Sequence, residues 1–211
     1  MKEYQAYLFD MDGTLVNSEP LKGKAIALAC EEYGASVDFN IYKDVMGEHW
    51  SIVTRYFFKH GQISPDPDEF NQFFRAHYEI LLSENLELNK GARAYLRHLK
   101  ATGKKCGLVS SASTWMINNI LTTLELDNVF DVVVAKEHVT KHKPDPEAYN
   151  LALAKLNVTP EQALIFEDSN AGINAANASG CEVIAVKHDF NDKNAFNNTV
   201  ACIGNFEDIS L

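Results

Sequence analysis

Basic clusters, paired cysteines and long apolar runs are all scarce in this chain, and each scarcity excludes a class of function. Lysine and arginine number 19 against 29 aspartates and glutamates, giving a net charge of −10. The basic residues are dispersed and form no patch of the kind that tracks a nucleic-acid backbone. The four cysteines (Cys30, Cys106, Cys181 and Cys202) show neither a CxxC pair nor a Cys/His spacing suited to a metal. Three of them lie within or beside apolar runs and read as buried free thiols. Seven histidines include no HExxH pattern, so no zinc site is expected. The polar stretch from Met1 to Tyr7 runs straight into a short apolar segment, with neither a signal-peptide core nor a membrane span. The expected location is the cytoplasm, with no nucleic acid, no membrane and no obligate protein partner.

What remains is an ordinary globular composition. Of 211 residues, 46% are hydrophobic and 23% charged, enough for a core in one or two domains. An acidic protein can still bind an anionic phosphate, but only with local cations, helix N-termini or a metal.

Short apolar runs recur at Tyr7–Phe9, Cys106–Val109, Val132–Ala135, Ala163–Phe166 and Val183–Val186. Most are β-branched or aromatic, and amphipathic segments of helical length separate them. This alternation predicts βαβ units: an α/β fold, a Rossmann-like parallel sheet covered by helices. Val200–Ile203 is a candidate edge strand. Ser113 is placed to cap a helix over Trp115–Leu124, and Thr159-Pro160-Glu161 resembles a short helical start. Between about Ser18 and Leu88 the rhythm stops. Helix-period stretches at Leu21–Tyr33, His49–His60 and Glu69–Ser83 take its place, with a breaker at Ser64-Pro65-Asp66-Pro67-Asp68. The expected organisation is a discontinuous core, residues 1–16 and 88–211, with an inserted α-helical cap at 17–87.

The chemistry concentrates at the strand ends. Phe9-Asp10-Met11-Asp12-Gly13-Thr14-Leu15 places two carboxylates two residues apart, where ligands bind in an open parallel sheet. If the chain stays extended there, both side chains point to one face. An Asx-type turn closing the strand would explain the pair equally well. After Cys106–Val109 come Ser110 and Ser111, whose hydroxyls and N–H groups precede a helix and suit a phosphate. Lys143 follows the third strand, just ahead of a proline able to start a helix. Glu167, Asp168 and Ser169 follow the fourth, leading into a helix of small residues. A capping serine or a surface lysine is commonplace alone; four such strand ends at one sheet edge argue for a site.

In this order and spacing these segments resemble the haloacid dehalogenase-like hydrolases, in the branch of the β-phosphoglucomutase-like phosphatases. The resemblance covers essentially the whole chain. Its DxDGT motif is Asp10 to Thr14, its second-motif serine Ser110, its lysine Lys143 and its acidic motif Glu167-Asp168-Ser169. The helical insertion corresponds to the family's mobile cap.

A phosphate monoester dianion resists an anionic nucleophile unless its charge is neutralised. Mg2+, a hard cation that takes oxygen ligands, is the expected cofactor. Asp10 is assigned as nucleophile and metal ligand, forming an aspartyl-phosphate. Asp168 is a second ligand, and Glu167 a direct or water-mediated one. The resemblance implies that Asp12 gives the metal its backbone carbonyl, while its side chain protonates the leaving group and then activates water. Lys143 offsets charge, and Ser110 and Ser111 donate to the phosphoryl group.

Where the mutases of this branch carry a cap histidine, this chain has Lys22. Their cap arginine has no evident counterpart around Gly47-Glu48-His49-Trp50, and solvent-facing or packing roles are expected for His49 and Arg55. The expected reaction is therefore hydrolysis of a small phosphorylated metabolite rather than mutase chemistry. A non-catalytic module binding phosphometabolites is the alternative of another class. The insertion's aromatic residues, including Trp50, Tyr56, Phe57, Phe58, Phe73, Phe74 and Tyr78, are expected to form its core.

Overall fold

The computed structural model describes residues 3–209; Met1 and Lys2, which open the polar N-terminal segment, and residues 210–211 lie outside it. Six strands form one sheet: β1 (Ala6–Phe9), β2 (Lys105–Val109), β3 (Val132–Val134), β4 (Ala163–Glu167), β5 (Glu182–Val186) and β6 (Ala201–Ile203). All neighbours pair in parallel, in the order β3-β2-β1-β4-β5-β6. The helices are α1 (Glu19–Glu31), α2 (Trp50–Gly61), α3 (Pro67–Asn85), α4 (Ala92–Ala101), α5 (Thr114–Thr123), α6 (Glu147–Leu156) and α7 (Asn170–Ala178). This is the strand order of a doubly wound sheet, whose ligand crevice opens where the order reverses, between β1 and β4.

The central strands are apolar up to their ends, where Glu167 closes β4, because both of their faces are covered. Successive side chains alternate between two cores. Leu8, Ile165 and Val183 join Tyr149, Leu153 and Ile173 of α6 and α7 on one side. On the other, Phe9 stacks on Phe166 at 5.0 Å, with Tyr95 of α4 edge-on to Phe166 at 5.6 Å and Phe206 at 5.3 Å. Each fully buried side chain of this size contributes about 1.5–3 kcal/mol. These layers fix the β1–β4 register, with Phe9 level with Phe166.

The chain divides into two compact units. One runs up to Val16 and resumes at Leu88; the other spans Asn17–Glu87. The second is helical and has its own aromatic core. Phe57, Phe70, Phe74 and Tyr78 are buried, Phe58 meets Phe70 at 4.7 Å, and Trp50 meets Phe74 at 4.5 Å. Pro65 to Asp68 is a helix start as well as a breaker: Asp66 accepts from the N–H groups of Asp68 and Glu69, and Pro67 occupies the first turn. His49 caps α2 through Nδ1, and Arg55 is exposed.

Some local expectations are corrected. Ser113 precedes α5, but its hydroxyl makes no cap; Glu137 accepts from the N–H and hydroxyl of Thr114 instead. Pro144 does not open α6, which begins at Glu147. Cys30, Cys106 and Cys181 are buried thiols, while Cys202 is exposed. Among the described residues no helix is long and apolar enough to cross a membrane.

Candidate active site

Strand β1 ends at Phe9, and the chain turns at once. The N–H groups of Leu15 and Val16 both donate to the Met11 carbonyl, folding residues 10–16 into a tight loop. Strand alternation therefore does not govern Asp10 and Asp12, contrary to the extended reading. Asp10 remains in register with the sheet because its N–H donates to the Phe166 carbonyl at 3.0 Å. Asn89 holds the far side of the loop, donating to the carbonyls of Gly13 and Thr14 at 2.9 and 2.6 Å.

Asp10, Glu167 and Asp168 are all buried and meet at the β1/β4 crevice. Each offers an oxygen within 4.8 Å of the others. Lys143 is the cation among them. Its Nζ lies 2.6 Å from Asp10 Oδ1, 2.6 Å from Glu167 Oε1 and 3.1 Å from the Val109 carbonyl. Those contacts use all three ammonium N–H groups. Burial works against its charge, but Asp10 and Glu167 outweigh that cost and hold the ammonium firmly protonated. Burial, together with the charges of Glu167 and Asp168, pushes the Asp10 carboxyl well above its ordinary range despite Lys143. The cluster thus carries more buried negative charge than Lys143 offsets.

The three acids differ in what already occupies them. Glu167 Oε1 accepts from Lys143 and from the Tyr149 hydroxyl at 2.8 Å. Its Oε2 accepts from the N–H groups of Asp168 and Ser169 and from the Ser169 hydroxyl. A carboxylate has about four acceptor sites, so these donors fill Glu167. Asp10 is different. Lys143 takes Oδ1, Oδ2 accepts no hydrogen bond among the described residues, and the side chain keeps 11% of its exposure. Asp168 Oδ2 pairs with His188 Nε2 at 2.9 Å, and Thr14 approaches Oδ1 at a long 3.4 Å. The donors are all oxygen, a set that suits a hard cation.

The remaining expected residues fall around this group. Asp12 is half-buried in the loop. Ser110 is buried at the end of β2, its hydroxyl accepting from the Ala112 N–H at 3.0 Å, and Ser111 is exposed. Ser169 caps α7 through the Gly172 N–H. Sequence reasoning did not anticipate Tyr149, His188 or Asn191, since none belongs to a motif and their contacts with Glu167 and Asp168 form only in the fold.

The family model of the haloacid dehalogenase-like hydrolases matches residues 7–186, which span every one of these acids and Lys143. The chain belongs to that family. Among similar members, a phosphorylated carbohydrates phosphatase of Thermotoga maritima is 33% identical over 90% of this chain and 89% of its own. A fructose-1-phosphate phosphatase of Escherichia coli is 27% identical, covering 88% of this chain and 98% of its own. A solved Thermotoga maritima structure, provisionally named a β-phosphoglucomutase, superposes with a TM-score of 0.84. It is 32% identical and covers 96% of this chain and 95% of that one.

Proposed function

We propose that this chain is a Mg2+-dependent phosphatase that hydrolyses a small phosphomonoester, a sugar phosphate among the candidates, through an aspartyl-phosphate on Asp10. The observation that carries the proposal is the state of Asp10. One oxygen is held by Lys143, while the other accepts no hydrogen bond among the described residues, and the side chain keeps 11% of its exposure.

Mg2+, held by Asp10, Asp168 and the Asp12 carbonyl, would supply positive charge to a dianionic phosphate that carboxylates otherwise repel. Asp10 Oδ2 attacks phosphorus, forming the O–P bond as the ester oxygen departs with a proton from the Asp12 side chain. Asp12 then takes a proton from water, whose oxygen attacks phosphorus and releases inorganic phosphate, restoring Asp10. Lys143 keeps the Asp10 carboxylate oriented. Glu167, filled by five donors, anchors Lys143 and the start of α7. Ser110 and Ser111 provide hydroxyls beside the phosphoryl position.

The helical unit Asn17–Glu87 is read as the cap that selects the leaving group. Within it, Lys22 Nζ is engaged by Glu19 Oε1 at 2.9 Å. A lysine paired in this way, where the resemblance to mutases calls for histidine, favours hydrolysis over phosphate return.

The test is phosphate release from a panel of sugar, polyol, nucleoside and small-acid phosphates. Turnover should require Mg2+, stop with EDTA and disappear in Asp10→Asn. Conversion of glucose 1-phosphate to glucose 6-phosphate without free phosphate would favour a mutase. Binding without turnover across the panel would favour a non-catalytic module.

A further inference from the structure

The loop after β5 carries two side chains that grip Asp168 from behind. Asn191 is 2% exposed, and both its side-chain nitrogen and oxygen are engaged. Its Nδ2 donates to the Asp168 carbonyl at 2.8 Å and to the Val186 carbonyl at 2.9 Å, while Oδ1 accepts from the His188 N–H at 2.8 Å. Its own N–H closes the loop on the His188 carbonyl at 3.1 Å. The loop is therefore fastened to both β4 and β5, and its fastening sets where His188 stands.

The same loop sets the chemistry of the His188 ring. Nδ1 accepts from the Phe190 N–H at 3.2 Å, which requires a lone pair there and so assigns the proton to Nε2. Nε2 then donates to Asp168 Oδ2 at 2.9 Å. A protonated Nε2 has no lone pair to offer a cation. Lys143 spends its three N–H groups on Asp10, Glu167 and the Val109 carbonyl, so it does not hold Asp168. Space is reserved for the His188–Asp168 pair as well. A Cβ on Gly13 would stand 2.3 Å from Asp168 Oδ2 and 2.8 Å from His188 Nε2, and Gly13 has φ +77°.

We propose that His188, fixed by Asn191, is a positioning residue that orients the Asp168 carboxylate for divalent-cation binding. The inference rests on the reading of Asp10 and Asp168 as cation ligands. Groups that hydrogen-bond a ligating carboxylate set its angle and restrict its rotation before the ion arrives. Removing such a partner typically weakens metal binding by about 10–100-fold.

The experiment is calorimetric titration of Mg2+ into the full chain without substrate, for wild type, His188→Ala and His188→Gln. Thermal unfolding in EDTA establishes that each variant is folded. The expected result is a Mg2+ Kd raised about tenfold or more in His188→Ala. His188→Gln, which keeps an N–H donor near the Nε2 position, should recover most of that loss. It also carries the test should the alanine variant fail to fold. Wild-type affinity in His188→Ala overturns the inference alone. So does a loss confined to Mn2+ or Zn2+ with Mg2+ unchanged, which would make His188 a ligand. A wild-type chain that binds no divalent cation contradicts the reading of the site and takes the inference with it.

Discussion

A Cβ atom on Gly172 would stand 1.8 Å from Oε1 of Glu167. The Glu167 carboxylate therefore lies directly on the first turn of α7, in space only glycine leaves open, and from there it reaches Lys143 and Tyr149. Gly172→Ala must push the carboxylate away. The expected cost is about 1–3 kcal/mol of stability, together with a large fall in turnover as Lys143 loses its anchor. Denaturant unfolding and phosphate release measure both. Unchanged values would show that Glu167 is not needed where it stands.

Lys143 gives a second prediction. Replacing it with Met leaves Asp10 and Glu167 facing each other without their shared cation, a loss of about 3 kcal/mol in the metal-free chain. Added Mg2+ should restore part of that stability by neutralising the same carboxylates. A Lys143→Met chain as stable as wild type in EDTA would mean that the ammonium does not balance this cluster.

Asp131 offers a pH test away from the site. Its Oδ1 pairs with Lys100 at 2.8 Å, and its Oδ2 accepts from the Cys106 N–H at the start of β2, also at 2.8 Å. Burial works to raise this carboxyl, but the bonds from Lys100 and Cys106 outweigh it and hold it below the usual carboxylate range. A lowered folded pKa means that the unfolded chain binds the proton more readily. The stabilisation is therefore full above an unfolded pKa of about 3.9 and is lost as pH falls through the folded value. Asp131→Asn should be less stable than wild type at pH 7, with the gap closing toward pH 3. The pair is 40% exposed on the Asp131 side, so its coulombic share is under about 1 kcal/mol. A gap that widens in acid would contradict the assignment.

The strands were legible because each is built on a short apolar run, buried throughout in β1 and β4 and only partly in the edge strands β3 and β6. The strand ends were legible because carboxylate, serine and lysine stand out against those runs. α4 went unassigned, although Ala92, Tyr95, Leu96 and Leu99 carry its buried stripe at helical spacing. Glu167 showed the limit of motif reasoning. The sequence marks it as an acid near a metal, whereas its saturation by Lys143, Tyr149 and the α7 start depends on helix packing. His188 and Asn191 were invisible for a related reason. Nothing in the sequence sets Lys187-His188-Asp189 apart, and only the β4–β5 register brings it against Asp168. Gly13 and Gly172 were visible as turn and helix glycines, but the side chains that need their space were not.

The central claim is that Asp10 carries the phosphoryl group between two half-reactions. The direct measurement uses Asp12→Ala, which lacks the base that activates water, mixed with Mg2+ and 32P-labelled p-nitrophenyl phosphate, whose phenolate departs without needing a proton from Asp12, and quenched in acid. Peptide mapping should find an alkali-labile acyl phosphate on Asp10, and no label in Asp10→Asn. Label on another residue, or none at any quench time while labelled phosphate is still released, would contradict the account.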